Sequence, residues 1–299
     1  MIQMIYNPKL HGGRMTIICF VSGSGTKYQK IAQTNPDHEY IVFTNRPGCG
    51  GVAKARANKH VTIELSHLPY LRPAIKKYGS MNIPRNCAER IKYEQDVWRL
   101  IEEKIEKAPD LICLAGYDQW LTDWTVDRYH PKILNIHPGD TTRGYSGLHW
   151  IPTAKAILSG DKEIRATLFL VDRGEDTGTI LAQSKPLEII PTLRMLESQG
   201  MKGLLKGFHE VTGFAIKHAI TGYDDFEKTA DKKQKAIMKQ LGDNLQGALK
   251  IAGDWEVYPF VIHTLIAHGR VGIDGNTVYI DGRPMPDYGY RMEQHLPEC

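Results

Sequence analysis

Five short runs of β-branched and aliphatic residues punctuate the first half of the chain: "MTIICFV" (15–21), "EYIVFTN" (39–45), "VTIEL" (61–65), "DLICLAGY" (110–117) and "KILNIH" (132–137). Continuous apolar runs of this kind suit strands covered on both faces, the environment of a parallel sheet. Between them lie segments that can be helical: "KYQKIAQ", "VAKARANKH" and "RIKYEQDVWRLIEEKIEK" (90–107). The last carries Ile91, Val97, Leu100, Ile101 and Ile105 at near-helical spacing. Strands alternating with helices predict an α/β fold: a Rossmann-like open, mostly parallel sheet with helices on both faces. Residues 66–86, with Pro69, Pro73, Gly79 and Pro84, predict a loop.

Beyond Thr167 the pattern changes. "ATLFLVD", "TILAQSKPLEII" and "NTVYIDGRPMP" read as antiparallel or edge strands, and residues 195–253 read as mostly helical. The expected organisation is a lead-in (1–14), a catalytic core (15–190), a mostly helical insertion (191–253) and a C-terminal segment (254–299) that completes the fold with antiparallel and helical elements. No apolar run reaches the ~18 residues of a membrane span, and the N-terminus lacks a signal-peptide pattern. The cysteines, Cys19, Cys49, Cys87, Cys113 and Cys299, form no CxxC, and Cys19 and Cys113 sit inside apolar runs. That usage suits a reducing compartment, so a cytoplasmic location is expected. The 38 Lys and Arg are spread along the chain against 34 Asp and Glu, for a formal charge of +4. Such a distribution gives no reason to expect a nucleic-acid partner, but is compatible with a small anionic ligand.

The run "LNIHPGD" (134–140) ends in an amide and an imidazole. Side chains at i and i+2 of a strand project from one face, and ligands of open α/β sheets bind beyond the carboxyl ends of the strands. Asn135 can donate to a developing oxyanion, and His137 can do the same or move a proton near neutral pH. The two can equally cap a strand end and satisfy loop carbonyls. "VDRGEDTGTI" (171–180) sets Asp172 and Asp176 around a Gly-containing loop. A carboxylate near His137 would raise the imidazole's pKa and orient the ring, although acidic glycine turns are common. "SGSGT" (22–26) lies between a strand and a helix, where backbone N–H groups cradle anions. It is neither GxxxxGK[ST] nor GxGxxG, since Tyr28 stands where a third glycine belongs, so a phosphate monoester suits it better than a dinucleotide. The histidines show no compact ligand set, and no metal is expected. His263 and His268 in "FVIHTLIAHG" read as polar positions of a helix.

Taken together, the strand ending in NxH, the Asp-Thr-Gly loop and the leading SGxG turn resemble the folate-dependent formyltransferases, most closely their phosphoribosylglycinamide branch. The resemblance runs from Met15 to about Ser184 and resumes from near Asp254 to about Tyr290. It rests on "ICFVSGSGTKYQKI", "IVFTNRPG", "APDLICLAGYDQWL", "KILNIHP", "GLHW", "ATLFLVDRGEDTGTILAQ", "VYPFVI" with the following "HGR", and "DGRPMPDYGY".

The resemblance implies a formyltransferase core whose catalytic set is Asn135, His137 and Asp176. It implies a substrate phosphate at Gly23, Ser24, Gly25, Thr26 and Lys27, and Asp254 facing the substrate's ribose and amine end. It implies 10-formyltetrahydrofolate as co-substrate. The pterin would lie against the backbone of Asp118, Gln119, Trp120 and Leu121 and of the loop containing Val171, Asp172 and Arg173, with Arg90 near the folate. The implied reaction is transfer of the formyl group to the primary amine of a phosphorylated acceptor, glycinamide ribonucleotide in purine biosynthesis. The family's usual Ser-Leu-Leu-Pro after NIHP is replaced here by Gly139-Asp140-Thr141-Thr142. That departure keeps open a different amine, such as an amino-sugar nucleotide, or hydrolysis of the formyl group. The family gives no role for the stretch between Ile190 and Asp254; an oligomer contact, as in a homodimer, or a lid are the roles open to it. A dinucleotide-dependent oxidoreductase and a catalytically inert binding module are the readings from other classes.

Overall fold

The structure, a computed structural model, describes residues 1–80 and 82–294. Its contacts divide the chain into two compact units. The first holds residues 1–135, 169–179 and 258–286; the second holds 136–168, 180–257 and those from 287 on.

The first unit is built on β1 (Thr16–Val21), β2 (Glu39–Thr44), β3 (Val61–Glu64), β4 (Leu111–Leu114) and the opening residues of β5 (Ile133–His137). All pair in parallel, β1 lying between β2 and β4, with β3 beyond β2 and β5 beyond β4. The register sets Cys113 beside Cys19, and Cys19 beside Val42. Ile17, Ile18, Cys19, Ile41, Val42, Phe43, Ile112 and Cys113 are fully buried. Burying each such side chain stabilises the fold by roughly 1.5–3 kcal/mol. Helices α1 (Thr26–Thr34) and α2 (Gly50–Ala57) follow β1 and β2.

Residues 66–86 depart from the loop expected of them. Leu68–Tyr78 form helix α3, with Pro69 in its first turn, where a missing N–H costs nothing, and Gly79 as a left-handed C-cap at φ 63°. Pro73 lies inside this helix, yet Leu71 and Ala74 bury against Ile83 and Cys87. Tyr70 donates to Asp96 at 2.9 Å and packs on Tyr93 of the next helix. Tertiary packing therefore overrides the proline punctuation. That next helix, α4 (Ala88–Glu102), stops short of Lys107, because Ile101 is the last residue of its buried face. It leads through β4 to α5 (Asp123–Tyr129). The lead-in also carries structure: Gln3–Met4 pair antiparallel with Val271–Asp274. That strand turns back through Thr277–Ile280 and Arg283–Pro284, the antiparallel C-terminal piece expected.

The second unit contains α6 (Ile151–Leu158), the first residues of β6 (Thr167–Leu170), β7 (Ile180–Gln183) and β8 (Tyr290–Arg291), ordered β8–β7–β6. Four helices follow β7: α7 (Ile189–Ser198), α8 (Leu204–Lys217), α9 (Tyr223–Thr229) and α10 (Lys232–Leu249). α10 buries Met238, Leu241, Leu245 and Leu249 at helical spacing, and Asp231 caps it by accepting from Gln234 N–H at 2.8 Å. Gly242 allows its closest approach, since a Cβ there would stand 2.7 Å from Trp150 Cβ. The stretch between Ile190 and Asp254 thus packs its apolar faces within this unit, in part against Trp150. Cys19, Cys49, Cys87 and Cys113 are free thiols, and Cys299 lies outside the described residues. Among the described residues, no helix is long and apolar enough to cross a membrane.

A stacked, buried histidine pair closes the first unit, with His38 and His263 ring centroids 5.3 Å apart. His263 Nε2 donates to Ile31 O at 2.8 Å. Burial pushes His263 down to about 4 from 6.5, and lowers His38 as well. Between those two pH values the unfolded chain binds a proton that the native His263 does not, so stability falls as pH drops through that window. Thermal melts across pH 4–7 should show this decline, and His263→Gln should flatten it; an unchanged slope in the variant would exclude His263 as its source.

Candidate functional site

In the first unit, polar side chains gather just past the carboxyl ends of the strands. Ser22 follows β1, Asn45 follows β2, and Asp118 lies past β4. Ser22 Oγ donates to Asn45 Oδ1 at 2.6 Å, Asp118 N–H donates to Ser22 Oγ at 2.9 Å, and Asn45 Nδ2 donates to Asp118 Oδ1 at 2.7 Å. Three strand ends are joined by this closed ring. Burial opposes the charge on Asp118, but hydrogen bonds from Asn45, Gln119 and Ser22 and the Arg46 guanidinium hold its carboxyl below the usual range. The resemblance assigns Asp118 a role through its backbone; its side chain is engaged as well.

The turn "GSGTK" opens α1, with Gly25 as its N-cap at φ 66°. Gly51 N–H of α2 donates to Gly23 O at 2.9 Å. A Cβ on Gly25 would lie 2.3 Å from Gly51 Cα, so only glycine permits this approach. Thr26 and Lys27 stand in the first turn of α1, where N–H groups have no intrahelical acceptor and the helix dipole favours an anion.

Asn135 lies on β5 and is half-buried. The 171–179 loop starts beside this strand, as Val171 N–H donates to Ile133 O at 2.8 Å. Asp172 winds the loop, its Oδ1 accepting from Gly174 N–H and from Thr177 Oγ1, both at 2.9 Å. Asp176 takes a left-handed conformation at φ 53° and is half-buried. Arg173 pairs with Asp127 at 2.7 Å, so its side chain serves the surface rather than a ligand. Leu121 and Val171 are buried, and Trp120 is exposed.

Arg90, on α4, is half-buried, and its Nε is buried with no hydrogen-bond partner among the described residues. Burial lowers its pKa, opposed by nearby Cys87, Glu94 and Tyr117. A donor held dry in this way suits an anionic ligand group. Glu94 fixes the segment after Leu121: it accepts from Thr122 N–H at 2.7 Å and from the hydroxyls of Thr122 and Thr125. Burial pushes the Glu94 carboxyl up against those bonds.

In the second unit, His137 ends β5 and is buried. Its Nε2 lies 2.7 Å from Tyr145 O. A carbonyl only accepts, so Nε2 carries the proton and Nδ1 is the nitrogen whose protonation sets the charge. The segment that departs from the family pattern is tightly held. Gly139 O accepts from Thr167 Oγ1 at 2.7 Å, and a Cβ on Gly139 would lie 2.6 Å from Pro152 Cβ. Asp140 Oδ1 accepts from Thr142 N–H at 3.0 Å and from Gln183 Nε2 at 2.7 Å. The carboxylate introduced by the departure is therefore engaged in its own turn and with β7. Asp254 ends a π-helical turn, Lys250–Asp254, and is 2% exposed.

Sequence reasoning missed Ser22, Asn45, Glu94 and Arg85. Asn45 carries the signal that drew attention to Asn135, an amide closing an apolar run. Arg85, in a loop before α4, carries none.

A mostly parallel sheet with glycine turns and polar groups at the carboxyl ends of its strands defines a Rossmann-like α/β protein of the ligand-binding kind. The formyl transferase family model matches residues 15–200, and the chain belongs to that family. It is 27% identical over 282 residues to the phosphoribosylglycinamide formyltransferase of Haemophilus influenzae, a match covering 93% of this chain and 99% of that protein. It is 27% identical over 214 residues to the trifunctional purine biosynthetic protein adenosine-3 of Drosophila melanogaster, covering 69% of this chain and 14% of that much longer protein. The structure of the Coxiella burnetii phosphoribosylglycinamide formyltransferase shares the fold, with a TM-score of 0.58 at 21% identity over 93% of this chain and 99% of that one.

Gly25→Ala should destabilise the first unit by roughly 1–3 kcal/mol in urea denaturation, whereas Gly23→Ala, whose Cβ meets nothing within 4 Å, should be nearly neutral. Equal losses in the two variants would refute the close approach of α1 and α2.

Proposed function

We propose that this protein transfers the formyl group of 10-formyltetrahydrofolate to the primary amine of a phosphorylated acceptor, glycinamide ribonucleotide. The observation that carries the reading is the strand β5, which ends in Asn135 and His137 two residues apart in a chain of the formyl transferase family. The named activity of the Haemophilus relative, which aligns nearly end to end, supports the acceptor. The anion-suited turn at Gly23–Lys27 supports its phosphate, and Asp254 is assigned to the ribose and amine end. Support for the folate comes from Arg90, whose dry Nε suits an anionic group, and from the loops at Asp118–Leu121 and Val171–Arg173. The free thiols and the absence of a membrane-length helix among the described residues suit a cytoplasmic location.

In this mechanism the amine nitrogen attacks the formyl carbon, forming a C–N bond and a tetrahedral oxyanion. Asn135 Nδ2 and His137 Nδ1–H donate to that oxygen. Asp176 favours the charged imidazole and collects the amine's proton through water. Collapse breaks the bond to the folate nitrogen, which takes up the proton. These donors act where charge develops, so their effect falls on the rate of the chemical step.

Asn135→Ala and His137→Ala should each lower kcat by about 10²–10³; the first should melt close to wild type, and the second should lose about 1–3 kcal/mol with its bond to Tyr145 O. Turnover within tenfold of wild type would refute their role. Product mass from a panel of amines, glycinamide ribonucleotide among them, tests the acceptor; formate release without any amine would instead indicate hydrolysis.

A further inference from the structure

We infer that Arg85 is a positioning residue for the folate, clamping together the two backbone segments assigned to the pterin; this rests on the folate reading above. The Arg85 side chain is only 15% exposed. Its Nε donates to Leu121 O at 2.6 Å, one terminal nitrogen donates to Arg173 O, and the other lies 3.4 Å from Asp172 O. One guanidinium thus holds carbonyls from the 118–121 segment and the 171–173 segment, which are otherwise far apart in sequence. Asp123 lies 3.8 Å from Nε, and the Trp120 ring lies 5.6 Å from the guanidinium carbon.

Only arginine offers this arrangement. Its planar fork presents several fixed donors at once, and its charge persists beside carbonyls. Lysine, a single ammonium on a flexible stem, can reach one segment but cannot set the distance between two. The bond to Leu121 O is part-buried, where an acceptor left without a partner is costly. Leu121 and Val171, both buried, line the two segments that the clamp joins. A folate seated between them reads the spacing that Arg85 sets, while the anion turn at Gly23–Lys27 stands outside these contacts.

The test uses Arg85→Lys and Arg85→Ala in the full chain. In the free protein, amide hydrogen exchange at 118–121 and 171–176 should quicken at least about tenfold in both variants, with exchange in β1 and β2 unchanged. Equilibrium binding of folic acid, followed by titration calorimetry, should weaken about ten- to a hundredfold, and the KM for the folate should rise while the KM for the amine stays within about twofold. Wild-type loop exchange and wild-type folate affinity in Arg85→Lys would overturn the clamp. Faster loop exchange with unchanged folate affinity would overturn its role toward the folate. Failure of the wild-type protein itself to bind folic acid would sink the folate reading, while the exchange data would still decide whether Arg85 joins the segments.

Discussion

A parallel strand covered on both faces has nowhere along its length to place a polar side chain, and the first unit depends on that constraint. From Ile17 to Cys19 and from Ile41 to Phe43 every residue is fully buried. Polar groups can only stand where the strands end, and they do: Ser22, Asn45, Asp118 and Asn135 all occupy or follow carboxyl ends. At the opposite ends the same constraint yields structural pairs instead, as Asp110 accepts from Thr16 N–H at 2.8 Å. The sheet's covering creates the chemistry's location before any residue is chosen for it.

Grouping those residues creates a second problem, since polar groups packed together at a rim would compete for partners. The Ser22–Asn45–Asp118 ring resolves it by satisfying each member from a different strand. Such a ring fixes the strand ends relative to one another, because a lost link leaves a half-buried donor or acceptor unsatisfied at about 1–3 kcal/mol. Glu94 acts in the same way on the following segment, tying Thr122 and Thr125 to α4. Both networks leave the backbone before and after Trp120 held on two sides.

How much of this was legible follows from what each signal measures. Apolar runs report burial, so the five parallel strands β1–β5 lie where the runs predict. Proline and glycine report local cost only, and α3 forms across Pro69 and Pro73 because Leu71 and Ala74 bury against a neighbour the local sequence does not name. The pairing of Gln3–Met4 with Val271–Asp274 spans nearly the whole chain and has no local trace. For the proposed site, the sequence points to Asn135, His137 and Asp176 because strand alternation and a glycine loop are local patterns. Arg85 was not, since its role is defined by carbonyls at Leu121 and Arg173, and every residue supplies a carbonyl.

The loop from Val171 to Thr179 shows why a glycine-rich acidic turn is needed to present one carboxylate. A non-glycine residue at φ 53° costs energy, though aspartate tolerates the region better than most. The residues around it are closely packed. A Cβ on Gly174 would fall 1.8 Å from Thr177 Oγ1, and one on Gly178 would fall 1.7 Å from Leu170 O. Asp172 meanwhile bonds across to Gly174 and Thr177, closing the turn from inside. The two aspartates of "DRGEDTG" therefore do different work: the first builds the turn with its side chain, and the second is carried by that turn at a fixed place. A carboxylate carried on such a turn meets the positional demand of the proton transfer proposed for it.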